Sequence, residues 1–229
     1  MASTPRLHSR SHAFVIGLSL AGTLLPAAPA SFSGDISLAE APASFLGEHA
    51  GDEAGCSVAQ VGDLNGDGLD DFIIGAWGHA GGAGKVYLIL GRRDGWSRGV
   101  SLAEADAAFE GEAPEDFAGL SVAGVGDVNG DEIPDLAIGA QGNDAGGENC
   151  GKTYLIFGRR DIPWGQHFSL ANADIGIRGA ESRNFAPFKV ARAGDVNGDG
   201  FDDILIAVPR RQPGQVFLVM GRARSGPER

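Results

Sequence analysis

Short apolar runs recur along this chain between stretches rich in Gly, Asp and Asn, and they recur in a fixed order. Cys56–Val61, Leu120–Val125 and Phe188–Ala193 form one set. Asp71–Ala76, Asp135–Ala140 and Asp203–Val208 form a second. Lys85–Leu90, Lys152–Phe157 and Gln215–Met220 form a third, each followed by Gly-Arg. Ahead of each first run stands another extended stretch: Ala43–Glu48, Ala108–Glu112 and Ile175–Gly179. Residues of β-branched and aromatic type, bounded by turn formers, predict strands. No stretch holds a 3.6-residue period long enough to predict a helix.

A Ser-Leu-Ala tripeptide sets the phase. It opens at Ser37, Ser101 and Ser169, so the steps are 64 and 68 residues, and the repeats run about 37–100, 101–168 and 169–229. Four short strands per repeat predict an all-β architecture of propeller blades. One blade cannot bury both of its faces, so blades stack on neighbours. A β-sandwich built by triplication is the alternative. Each repeat opens on an outer strand and the last repeat ends after a third strand, the offset by which a propeller closes on itself. Three blades are fewer than the roughly four to eight of known propellers. Three outcomes stay open: a partial propeller completed as a ring by oligomerisation, a fragment of a longer frame, or an open arc with exposed faces.

Between the first and second strands of each repeat lies an Asp-x-Asn-x-Asp-Gly-x-x-Asp string. Its residues are Asp63, Asn65, Asp67 and Asp71; then Asp127, Asn129, Asp131 and Asp135; then Asp195, Asn197, Asp199 and Asp203. Leu69, Ile133 and Phe201 occupy position seven, where a backbone carbonyl would be offered. Alternate oxygen-bearing side chains in a tight loop are suited to a hard cation, and calcium is the expected ion. Three carboxylates close together repel one another without one. The plainer reading is that Asp and Asn make Asx-turns in a hairpin. Gly68 and Gly200 permit a left-handed turn at position six. The second loop has Glu132 there, followed by Pro134, and weaker binding is expected.

Composition narrows the classes. Lys and Arg total 18 against 30 acidic residues, for a net charge of −12. That balance excludes the basic footprint of a nucleic-acid binder. Gly is abundant at 37 residues without the Gly-X-Y period of collagen. Residues 1–30 read as an export signal: Arg6 and Arg10, an apolar stretch from Ala13 to Leu25, then Ala28-Pro29-Ala30 as the cleavage site. The propeller region is then 31–229, and no later stretch is apolar enough to be a membrane span. Export would permit a Cys56–Cys150 disulfide; two unpaired residues is the other reading. The histidines at 8, 12, 49, 79 and 167 do not recur between repeats. No nucleophile elbow, zinc-protease helix or phosphate loop is present, so a non-enzymatic chain is expected. Trp77, Trp96 and Trp164 read as loop packing, with stacking on sugar rings as the sharper option. Lys85 and Lys152 recur before the third strand and read as a solvated strand start.

Together these units resemble FG-GAP repeats, the blades of the propeller at the head of integrin alpha subunits, also found in secreted bacterial proteins. The first station of that family reads here Ala54-Gly55-Cys56, Ala118-Gly119-Leu120 and Ala186-Pro187-Phe188, with Phe117 and Phe185 just ahead and no aromatic in the first unit. The second station reads Gly75-Ala76-Trp77, Gly139-Ala140-Gln141 and Ala207-Val208-Pro209. The resemblance covers roughly residues 37–229. It implies a secreted, periplasmic or cell-surface calcium-binding module for protein interaction or adhesion, with an extracellular protein as ligand. A carbohydrate-binding propeller accessory to an extracellular enzyme, with a glycan ligand, is the alternative.

Overall fold

Among the described residues, the apolar runs become strands and the Gly- and Asp-rich stretches between them turn the chain back. The computed structural model describes residues 35, 37–209 and 213–223; the expected export signal lies outside them. Fourteen strands follow in order: β1 (Phe45–Leu46), β2 (Ala54–Gly62), β3 (Asp71–Ala76), β4 (Lys85–Ile89), β5 (Val100–Ser101), β6 (Ala107–Glu110), β7 (Ala118–Gly126), β8 (Asp135–Ala140), β9 (Lys152–Ile156), β10 (Phe168–Ser169), β11 (Ile175–Arg178), β12 (Lys189–Gly194), β13 (Asp203–Val208) and β14 (Gln215–Val219). Ser101 and Ser169, in the tripeptide that marks the repeat, each accept the amide of the alanine two residues on. The Ser-Leu-Ala signature is therefore a capped 3₁₀ turn whose Leu102 and Leu170 are buried.

The sheets are antiparallel blades. β2, β3, β4 and β6 make the first; β7, β8, β9 and β11 the second; β12, β13 and β14 the third. The opening strand of each repeat completes the preceding blade, as β6 does on β4 and β11 on β9. Repeats one and two thus give three strands to their own blades and take the fourth from the repeat that follows, whereas among the described residues no fourth strand joins β12, β13 and β14. Two short parallel pairings, β1 with β5 and β10 with β6, were not foreseen. Among the described residues β1 and β14 do not pair, so no ring is closed.

Period-two alternation sends successive residues to opposite faces. Val61, Ile73, Val86 and Leu88 pack with Val122, Leu136, Ile138 and Ile156 between the first and second blades. Ala123, Val125 and Leu155 pack with Val190, Ile204 and Ile206 between the second and third. On the far face of the first blade Ile74, Tyr87 and Ile89 meet Phe45, Phe72 and Trp96. The third blade is left open, with Val216 65 %, Phe217 42 % and Leu218 43 % exposed.

Inner strands approach closely. A Cβ on Gly75 would run into the carbonyl oxygen of Gly119 in the next blade, and one on Gly139 would lie 2.6 Å from Cγ of Pro187. The Ser57 hydroxyl donates to Gly119 O at 2.6 Å, and Ser121 Oγ accepts the Val190 amide at 3.0 Å. Glycine and serine at these stations let backbones touch and then join them.

Lys85 and Lys152 correct the solvated reading. Lys85 is only 3 % exposed and pairs with Glu48 at 2.8 Å; Lys152 pairs with Glu112 at 2.6 Å. The same glutamate oxygens accept the hydroxyls of Tyr87 at 2.9 Å and Tyr154 at 2.7 Å. Burial works against ionising Glu48 and Glu112, but these hydrogen bonds outweigh it and hold both below the usual carboxylate value. The lysine is buried because a Gly-Glu from the preceding outer strand crosses over to meet it.

Gly75→Ala should push the first two blades apart and cost about 1–3 kcal/mol. Urea unfolding of the variant checks this; an unchanged midpoint would show that the inner strands do not need that approach.

Candidate metal centres

The expected cation loops join β2 to β3, β7 to β8 and β12 to β13, and the structure folds all three the same way. The first aspartate is the hub. Asp63 Oδ1 accepts the amides of Gly66 at 2.7 Å and Asp67 at 3.0 Å, and Oδ2 accepts that of Gly68 at 2.9 Å. Asp127 does this with Gly130, Asp131 and Glu132, and Asp195 with Gly198, Asp199 and Gly200. Asn65, Asn129 and Asn197 each accept the amide two residues on and donate to the fifth-position carboxylate. Asp67, Asp131 and Asp199 accept the amides of Leu69, Ile133 and Phe201. Positions one, three and five are thus folded inward by Asx-turns.

The ninth position is different. Asp71, Asp135 and Asp203 are each 0 % exposed. One oxygen accepts the amide at loop position two: Leu64 at 2.9 Å, Val128 at 2.9 Å, Val196 at 3.0 Å. The other accepts the glycine amide that ends the blade's third strand: Gly91 at 2.7 Å, Gly158 at 2.8 Å, Gly221 at 2.9 Å. Each carboxylate oxygen keeps a further lone pair. Burial raises the Asp71 carboxyl despite these amides and pushes Asp135 up to about 7, with the neighbouring loop aspartates adding to the effect. The exposed Asp195 is held below its usual value, chiefly by the Gly200 amide.

Glu132 takes the left-handed conformation of the glycines it replaces, with φ 64° against 83° at Gly68 and 93° at Gly200. The departure in the second loop is absorbed as backbone strain, and its hydrogen-bond set is intact.

Among known proteins, the FG-GAP repeat model matches residues 57–89, 118–156 and 190–219. Integrin alpha-V of Gallus gallus is 32% identical over 182 residues, 74% of this chain and 15% of its own length. Integrin alpha-6 of Gallus gallus is 31% identical over 168 residues, 71% of this chain and 14% of its own. Phosphatidylinositol-glycan-specific phospholipase D of Bos taurus is 38% identical over 157 residues, 64% of this chain and 18% of its own.

These are FG-GAP repeats. The chain spans less than a fifth of the length of each of those relatives.

The FG-GAP stations now have physical roles. Phe117 and Phe185 sit at φ 56° and 51°, and Glu53 holds the same conformation at 55°. The Phe117 ring meets Trp77 edge-on at 5.6 Å and fills the space that a Cβ on Gly82 or Gly142 would need. It closes the seam between consecutive FG-GAP blades. The other tryptophans are engaged in packing as well. Trp164 is buried against Phe109 at 5.4 Å. Trp96 stacks with Phe45 and Phe72 and donates to Arg92 O at 2.8 Å. Cys56 and Cys150 are free, one exposed and one buried.

One grouping was missed in the sequence. Among the described residues, His49, Asp52 and His79 bring their ligand atoms within 4.8 Å of one another. They lie at the opposite end of the first blade from its Asp-rich loop.

The Asp135 carboxyl gives a pH signature. In metal-stripped protein it keeps its proton to about pH 7 when folded but loses it near 3.9 when unfolded. The folded state therefore binds more protons between those values, and stability falls as pH rises through that window. Asp135→Asn should flatten this part of the curve in chelator-treated urea unfolding; an unaltered slope would contradict the assignment.

Proposed function

We propose that this chain is an extracellular, calcium-stabilised FG-GAP propeller module that binds a protein ligand and carries no catalytic activity of its own. The integrin relatives support a role in adhesion or protein interaction. What carries the calcium reading is the threefold recurrence of one oxygen-only loop geometry. Side chains at positions one, three, five and nine, with the carbonyl at seven, would hold the ion: Asp63, Asn65, Asp67, Leu69 and Asp71, and their counterparts in the other two loops. The donor set fits, since every side-chain donor is a hard oxygen. Asp71 and Asp135, whose burial raises their carboxyls, have most to gain from a nearby positive charge. Calcium, when bound, supplies that charge; the protein's own part is to pre-fold the loop through Asx-turns. In the second loop the Glu132 backbone costs on the order of 1–2 kcal/mol relative to glycine, which supports weaker binding there.

Residues 1–30 are proposed as an export signal, placing the chain in a secreted, periplasmic or cell-surface setting. No helix among the described residues is long and apolar enough to cross a membrane. A second copy is proposed to cover the open third blade, because among the described residues β14 pairs only with β13 and β1 only with β5.

Calcium at ten times its dissociation constant should stabilise by about 1.4 kcal/mol per site, or ~3–6 °C in melting temperature for a domain of this size. Asp63→Ala should shrink the rise, and Glu104→Ala on the exposed surface should not; identical curves in calcium and chelator would refute the role. Native mass spectrometry in calcium should show a species above the 23.5 kDa chain mass, and a monomer alone would remove the second copy.

A further inference from the structure

At the end of the first blade away from residues 63–70, the connection from β1 to β2 meets the connection from β3 to β4. Asp52 is buried there at 5 % exposure. Its Oδ2 accepts the His49 amide at 3.0 Å, lies 3.1 Å from His79 Nδ1 and 3.5 Å from His49 Nδ1. The two imidazole rings are 6.0 Å apart between centroids. The cluster opens into a cleft lined by His49, Gly51, Asp52, Gly78 and His79.

The second blade supplies the control. Asp116 occupies the same place: its Oδ2 accepts the Ala113 amide at 3.2 Å, and its carbonyl accepts the Gly142 amide at 3.0 Å, as that of Asp52 accepts Gly78 at 3.1 Å. There the side chain following the glycine is Asn143, which donates to Asp116 at 2.9 Å. The buried aspartate is therefore common to the first two blades, and in the second it is held by a backbone amide and one side-chain amide. The first blade replaces that asparagine with His79 and replaces Ala113 with His49. An asparagine amide nitrogen can only donate, whereas each imidazole offers a nitrogen lone pair. Both substitutions add the same capability at the same carboxylate.

We propose that His49, Asp52 and His79 form a two-histidine, one-carboxylate site for a borderline divalent transition-metal ion such as zinc, distinct from the oxygen-only loops. Nitrogen donors suit zinc and its first-row neighbours, whereas calcium takes oxygen. Metal–ligand bonds of about 2.0–2.2 Å in a tetrahedral array set donors ~3.4 Å apart. The two histidine–aspartate separations, 3.1 and 3.5 Å, already match that spacing. The three ligand atoms already lie within 4.8 Å of one another, and the His49 side chain is 71% exposed and so free of tight packing. The cleft leaves the remaining coordination position to water or to a donor from a partner. The site thus sits beside the loops that join blades, where it can add a metal-dependent contact.

The test uses the full chain in saturating calcium, titrated with Zn²⁺ by calorimetry and with Co²⁺ by visible absorption. Wild type should take up one Zn²⁺ and develop Co²⁺ ligand-field bands. His79→Asn and His49→Ala, each the side chain the second blade carries, should weaken uptake at least tenfold, and the double variant should lose the bands. His167→Ala should change nothing. Zinc titration of the wild type followed by histidine ring NMR gives a readout independent of variant folding: the His49 and His79 resonances should move and His167 should not. Absence of zinc uptake by wild type, uptake retained by a folded double variant, or ring shifts elsewhere than His49 and His79 would overturn the site.

Discussion

The rest of the structure hangs on a buried carboxylate at the ninth position of each Asp-rich string. Asp71, Asp135 and Asp203 each fasten two amides: one at the start of the hairpin loop and one where the third strand ends. Leaving a buried amide unpaired costs about 1–3 kcal/mol, so each aspartate fixes the loop to the sheet it serves. The geometry recurs within a few tenths of an ångström in three blades of differing sequence. At Asp71 and Asp135 it also sets a conflict, because burial raises the carboxyl and the neighbouring loop aspartates add to the effect. A cation in the loop would relieve that conflict, so the fold's staple and its candidate metal chemistry rest on the same residues.

The second constraint is the close approach of inner strands. Gly75 and Gly139 lie where the next blade leaves no room for a side chain, and Ser57 and Ser121 turn that proximity into hydrogen bonds across the seam. Glu48 and Glu112 then reach forward to Lys85 and Lys152 with Tyr87 and Tyr154. The first and second blades are thereby held by backbone contact near one edge and by a charge pair near the other, buried at Lys85 and half-buried at Lys152. In the third repeat Gln215 and Phe217 stand where that lysine and tyrosine would be.

Local chemistry was legible in the sequence. Short β-branched and aromatic runs bounded by turn formers marked the strands, and the loop string marked the hairpins. Glycine at position six forecast a left-handed turn, which Glu132 also adopts. The assignment of opening strands to the preceding blade followed from the phase of the repeat. What escaped was set by residues distant in the chain. Lys85 begins a strand and looks solvated until Glu48, 37 residues earlier, is folded onto it. His49 and His79 look scattered because the two loops that carry them meet only once the blade forms. Phe117 could be matched to a family station, but its place between Trp77 and Gly142 depends on two blades together.

The most direct measurement is an anomalous-difference map from crystals grown in terbium, a luminescent calcium mimic with strong anomalous scattering. The account predicts peaks inside the loops at 63–71, 127–135 and 195–203, with the second weakest. Maps flat at all three loops would show that the Asx-turned aspartates hold one another without a cation, and would contradict the central claim.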